Sequence, residues 1–161
     1  MMFFQDGEYP KCAKILRNQV IGMKAPSRVV SALFICIRDR SLVEKALSPG
    51  TYPRVIIRKL MRNGHWARNI PGNFNGECDP NDVNYVFLNT SFADGVEEGH
   101  FDAHDFEKIL LHEVVHWGRF HAGMPGEIEG MEAGSLFEYL AYQERYIGHS
   151  GLSCPERQPA A

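Results

Sequence analysis

Residues 102–117 read Asp102-Ala103-His104-Asp105-Phe106-Glu107-Lys108-Ile109-Leu110-Leu111-His112-Glu113-Val114-Val115-His116-Trp117, and the fold turns on how this run is read. Asp102 suits an N-cap and Asp105 supplies an acidic first turn, two signals that start a helix. Phe106, Ile109, Leu110, Leu111, Val114, Val115 and Trp117 then place apolar residues on nearly every side, which predicts a buried helix. Gly118 and Gly123 are its candidate stops. On such a helix His112 and His116 project from one face, one turn apart, so both imidazoles can converge on a single metal ion. Glu113 lies about 100° further round, where its carboxylate reaches a water activated by the metal more readily than the metal itself. With 7 His in 161 residues, chance His-Glu-x-x-His matches number on the order of 0.02. Two histidines and a glutamate packed there for structure alone would each need a separate polar partner.

A catalytic zinc site takes three protein ligands and leaves a position for water. The extended spacing His-Glu-x-x-His-x-x-Gly-x-x-His would need glycine at 119 and histidine at 122. The chain has Arg119 and Ala122, and His121 misses by one residue, ~100° of helix. A carboxylate on a following helix serves better. Residues 130–142 are helix-compatible, with Gly130, Gly134, Glu138 and Tyr142 on one i, i+4 stripe. Glycines inside a helix are unfavourable, so they suggest close approach to the first helix, which would deliver Glu138 as third ligand. Glu132, Glu127, Glu129 and His121 are alternatives, and Glu138 could instead orient a ligand imidazole from outside the metal shell. Tyr142, one turn beyond Glu138, is the first choice for a donor to the developing oxyanion, with Tyr139, Arg145, Tyr146, His149 and His65 behind it.

The run His112-Glu113-Val114-Val115-His116-Trp117, followed by Glu132-Ala133-Gly134, Phe137-Glu138, Tyr139 and Tyr142, resembles the gluzincin branch of zinc metallopeptidases. More narrowly it resembles the metallopeptidase domains of bacterial polymorphic toxins and type VI secretion effectors. The resemblance spans residues 102–148. It implies Zn²⁺, a zincin-like α+β fold, delivery by fusion to or loading on a secretion apparatus, and a cognate immunity protein. The target-cell periplasm is one compartment in which such an effector would act, on a peptide or peptidoglycan-peptide amide. A maturation peptidase with the same chemistry, or a binding module with a structural zinc, are the competing readings.

The rest of the chain frames this region. At 161 residues and 18.2 kDa it has the size of one domain, residues 1–161, with 1–9 and 153–161 expected to be irregular or frayed. The expected architecture is a small mixed sheet packed on the His-Glu-x-x-His helix and a following ligand helix. Helices are expected after Pro10 and from Ser27, the second carrying Val29, Val30, Leu33, Phe34 and Ile37, although its β-branched residues would also suit a strand. Ser41-Leu42-Val43-Glu44 has the form of a capping box opening a short helix to Leu47. Residues 54–58 and 83–89 read as strands, the second a possible edge for a docked extended substrate. Residues 64–82 form a long Gly/Asn/Pro-rich connection, and 94–99 a Gly-rich turn. His100 and His104 are expected as exposed loop histidines.

A net charge of −3 and a pI near 6.2 argue against a general nucleic-acid binder. No stretch has the length of a membrane span. The opening Met1-Met2-Phe3-Phe4-Gln5-Asp6 lacks the basic start and cleavage site of a secretory signal. Cys12, Cys36, Cys78 and Cys154 are scattered without a Cys-x-x-Cys pair, which leaves free thiols or up to two disulfides.

Overall fold

The computed structural model describes residues 1–3, 5, 7–59, 67–68 and 84–143. A two-residue strand, β1 (Met2–Phe3), precedes helix α1 (Pro10–Ile15), which continues as a π-helical turn over Leu16–Val20. Pro10 opens α1, where its missing N–H costs nothing. Helix α2 (Arg28–Ile37) starts at Ser27, whose hydroxyl accepts from the Val30 N–H, and buries Val30, Ala32, Leu33, Cys36 and Ile37. The periodicity of this segment therefore wins over its β-branched content, because the apolar stripe has a helical core to fill. Helix α3 (Arg40–Leu47) is capped by Asp39, which accepts from the Leu42 N–H at 3.1 Å. The cap thus sits two residues before the expected Ser41, whose hydroxyl instead donates to Asp39 Oδ1 at 2.8 Å.

Strand β2 (Arg54–Arg58) turns Val55 and Ile57 into the core. Strands β3 (Ala67–Arg68) and β4 (Tyr85–Asn89) complete a sheet of order β1-β2-β4-β3. β1 and β4 both pair parallel with β2, and β3 pairs antiparallel with β4, so the sheet is mixed. β4 is an interior strand where Phe87 and Leu88 face Arg68 and Ala67, which removes it as a docking edge there. The irregular arm expected over residues 1–9 holds instead strand β1, preceded by a fully buried Met1. That parallel pairing joins residues more than fifty positions apart, and nothing local announces it. The 64–82 connection falls outside the described residues except for β3, as do Val83, Cys78, Cys154 and the 153–161 tail.

β4 runs directly into helix α4 (Thr90–Glu98), where a turn was expected over 94–99. Gly95 reads as a breaker, yet it sits in the helix because a Cβ there would meet the Phe101 ring at 2.6 Å. Helix α5 (Ala103–His121) crosses the centre of the molecule, packed on β4, α2 and α1. Asp102 caps it as expected, and Asp105 returns a bond to the Asp102 N–H in a reciprocal capping box. Gly118 does not end this helix. A Cβ there would strike the Ile37 side chain at 2.8 Å, so the glycine sets the approach of α2 to α5. A two-stranded hairpin, β5 (Glu127–Ile128) and β6 (Met131–Glu132), then leads into helix α6 (Ala133–Tyr142), which packs against α2 and α5. The fold is α+β, with side chains from the helices and from β2 and β4 joined in one hydrophobic core.

Candidate metal centre

His112 and His116 lie on α5 between the buried Leu111, Val114, Val115 and Trp117, so the helix has little freedom to rotate them. Their Nε2 atoms stand 3.3 Å apart. The Oε1 atom of Glu132 contacts Nε2 of His116 and lies 3.7 Å from Nε2 of His112. One ligand atom from each of these three residues falls within 4.8 Å of the others, and they form the one such His/Cys/Asp/Glu group among the described residues.

Glu132 owes its place to two local features. Glu129 and Gly130, both at positive φ, turn the β5–β6 hairpin back and set Glu127 opposite Glu132. Glu132 is also the N-cap of α6, its carboxylate accepting from the Gly134 N–H at 2.8 Å and the Ser135 N–H at 2.6 Å. Burial opposes its charge, but His116, His112 and the Ser135 N–H outweigh burial and hold the carboxyl well below the usual range.

Glu138, expected as the third ligand, lies elsewhere. It is 1% exposed, and its Oε1 stands 2.7 Å from Nδ1 of His112, on the opposite edge of the ring from the cluster. The ring thus separates Glu138 from the point where the other donors meet. The displacement follows from chain geometry: the hairpin delays the start of α6 to Ala133, so the residue before the helix enters the cluster and Glu138 packs behind it. Burial works against a charged His112, yet the Glu138 bond and the nearby Glu113 and Glu132 carboxylates overcome it and raise the imidazole pKa to about 9.

The anticipated close approach of the two helices is present at Gly134. A Cβ on this residue would lie 2.5 Å from Cε1 and Nε2 of His112 and 2.6 Å from Cδ2. The glycine therefore admits the Nε2 edge of the ring, the edge turned towards His116 and Glu132. Further along α6 the Tyr142 hydroxyl donates to Glu107 Oε1 at 2.7 Å, and its ring meets His104 edge-on at 4.9 Å. Tyr142 is thereby placed against the first turns of α5, and its hydroxyl is directed to Glu107 instead of the cluster. Tyr139 is 49% exposed. His65, Arg145, Tyr146 and His149 lie outside the described residues. The His121 ring lies against Trp117 in a tilted contact with centroids 5.0 Å apart, and Glu127 and Glu129 are exposed on the hairpin.

Glu113 is half-buried beside this group and makes no hydrogen bond or ion pair among the described residues. Arg119, three residues past His116, is the residue that sequence reasoning missed. It is 4% exposed and donates to the carbonyls of Cys36, Pro125 and Glu127. Its position in the last turn of a helix suggests a solvated cation, and only the failed glycine spacing drew attention to it.

Two helix-borne imidazoles, a carboxylate delivered from a hairpin and the Glu113 carboxylate beside them make up the working parts of a metal-dependent hydrolase. Residues 5–143 match the sequence model for metallopeptidase toxin 3, and the chain belongs to that family of polymorphic-toxin metallopeptidase domains. Membership implies a metal ion and a peptidase toxin activity. No curated protein and no solved structure matches the chain. Among the described residues no helix is long and apolar enough to cross a membrane.

Proposed function

We propose that the chain is a zinc-dependent, zincin-like peptidase in which His112, His116 and Glu132 hold the ion and Glu113 is the general base. The observation that carries this reading is the convergence of three donor atoms within 4.8 Å beside Glu113, whose carboxylate makes no hydrogen bond or ion pair among the described residues. The donor set fits zinc, since two imidazoles and one carboxylate form a three-ligand catalytic set with a position left open. Zinc bound there supplies a Lewis acid for the scissile carbonyl and a water of near-neutral pKa.

The chain's own residues do the rest. Glu138 accepts the Nδ1 proton of His112, which leaves the Nε2 lone pair facing the cluster. Glu132, kept ionised by its cap bonds and the histidines, brings one negative charge to the site. Glu113, which makes no hydrogen bond among the described residues, takes the proton of the attacking water and returns it to the leaving amine. Because Tyr142 donates to Glu107, no oxyanion role is assigned to it.

The substrate in this reading is a peptide or peptidoglycan-peptide amide. The chain acts as a delivered effector paired with an immunity protein, as family membership and the resemblance to secreted effector domains support. A zinc-dependent cleavage screen across peptides and muropeptides tests it, with Glu113→Gln as control. The variant is expected to keep the metal and lose about 10²- to 10⁴-fold in rate. Cleavage by Glu113→Gln at the parent rate would remove Glu113 from the mechanism.

A further inference from the structure

Arg119 carries a guanidinium into the interior with no carboxylate bonded to it among the described residues. A charge so placed is costly unless its donors are satisfied, and here backbone carbonyls satisfy it. Nη1 donates to the Cys36 carbonyl at 2.6 Å, in the last turn of α2, where the helix dipole presents its negative end. Nε donates to the Pro125 carbonyl at 2.6 Å and Nη2 to the Glu127 carbonyl at 3.1 Å. The fork thus joins three segments: the helix that carries His112 and His116, the end of α2, and the strand that enters the hairpin.

The grip on Glu127 matters because of register. Glu127 is paired directly with Glu132 across the β5–β6 ladder, and the Gly126 carbonyl between the two gripped residues accepts from the Ala133 N–H at 2.9 Å. A hairpin of two-residue strands has little stability of its own, so its position depends on such ties. We infer that Arg119 is the positioning residue of the metal centre: it fixes the hairpin on α5 so that Glu132 meets His112 and His116. This inference rests on the proposed ligand set.

Cobalt titration tests it without reference to turnover. Affinity is measured by chelator competition, and the ligand field is read from the visible absorption of the Co²⁺ form. Arg119→Lys keeps the charge but has no fork, and Arg119→Gln removes the charge; far-UV circular dichroism checks the fold of each. Both variants are expected to fold, bind Co²⁺ about 10- to 100-fold more weakly, and show an altered visible band. Because Arg119 acts through Glu132, Arg119→Lys combined with Glu132→Gln should bind no more weakly than Glu132→Gln alone. Parent affinity and an unchanged band in both Arg119 variants, additive losses in the double variant, or loss of fold in both single variants would each overturn the inference. Failure of the unmodified chain to bind Co²⁺ at all would instead strike the ligand set on which it rests.

Discussion

Replacing Gly134 by alanine adds one methyl group, and the structure says where that group must go. Its carbon would lie 2.5 Å from Cε1 and Nε2 of His112, whereas non-bonded carbons rest about 3.5–4.0 Å apart. Ring and helix must therefore separate by roughly 1 Å. The ring cannot simply retreat, since Nδ1 is held by Glu138 at 2.7 Å and the neighbouring helix faces are packed. Overpacking costs about 1–3 kcal/mol, and alanine in place of a helical glycine returns about 1 kcal/mol, so the metal-free chain should lose only ~0–2 kcal/mol. Metal binding has no such offset. A zinc–nitrogen bond of about 2.0–2.1 Å does not survive a shift of that size, and zinc affinity should fall at least about 10- to 100-fold. The assay pairs chelator-competition affinity with thermal unfolding of the metal-free protein. Parent affinity in Gly134→Ala, whatever its melting temperature, would refute the proposed contact between α6 and the metal-facing edge of His112.

Other expectations follow from the same geometry. Glu138→Gln should keep the fold and still bind zinc, with affinity down about 10- to 100-fold as the tautomer and orientation of His112 loosen; abolished binding in chelator competition would return Glu138 to the metal shell. Burial, reinforced at Cys12 by the Glu97 carboxylate, raises the thiols of Cys12 and Cys36 to about 12 and about 11. The thiolate fraction at pH 8 is then on the order of 10⁻⁴ and 10⁻³, so iodoacetamide with peptide mapping should leave both unmodified in the native protein and label both in denaturant. Equal labelling in the two conditions would contradict the burial.

What the sequence made legible was local and periodic. Helix α5 announced itself through Asp102, its apolar run and the spacing of His112 and His116, because capping and helical period act over a few residues. Of the Gly130, Gly134, Glu138 and Tyr142 stripe, the last three lie against α5, whereas Gly130 falls in the turn of the β5–β6 hairpin before the helix begins. The identity of the third donor was not legible in the same way. Glu132 and Glu138 are equally acidic in a string of letters, and the choice depends on a hairpin of two-residue strands with a non-glycine residue, Glu129, at positive φ. Its weak signal was the dipeptide Glu129-Gly130 between two short β-capable pairs. β1 pairs with a strand more than fifty residues away, and α4 hides behind Gly95, whose reason is the Phe101 ring. Arg119 shows the same limit: the Cys36 carbonyl, far off in sequence, and the Pro125 and Glu127 carbonyls beyond the helix end convert a surface-type side chain into a buried clamp.

The most direct measurement is a crystal structure of the zinc-loaded protein that resolves the metal's ligands. The account predicts Nε2 of His112, Nε2 of His116 and the Glu132 carboxylate on the ion, Glu138 on the far nitrogen of His112, and one position occupied by solvent. A zinc ion bound by Glu138 in place of Glu132, or closed by four protein ligands, would contradict it.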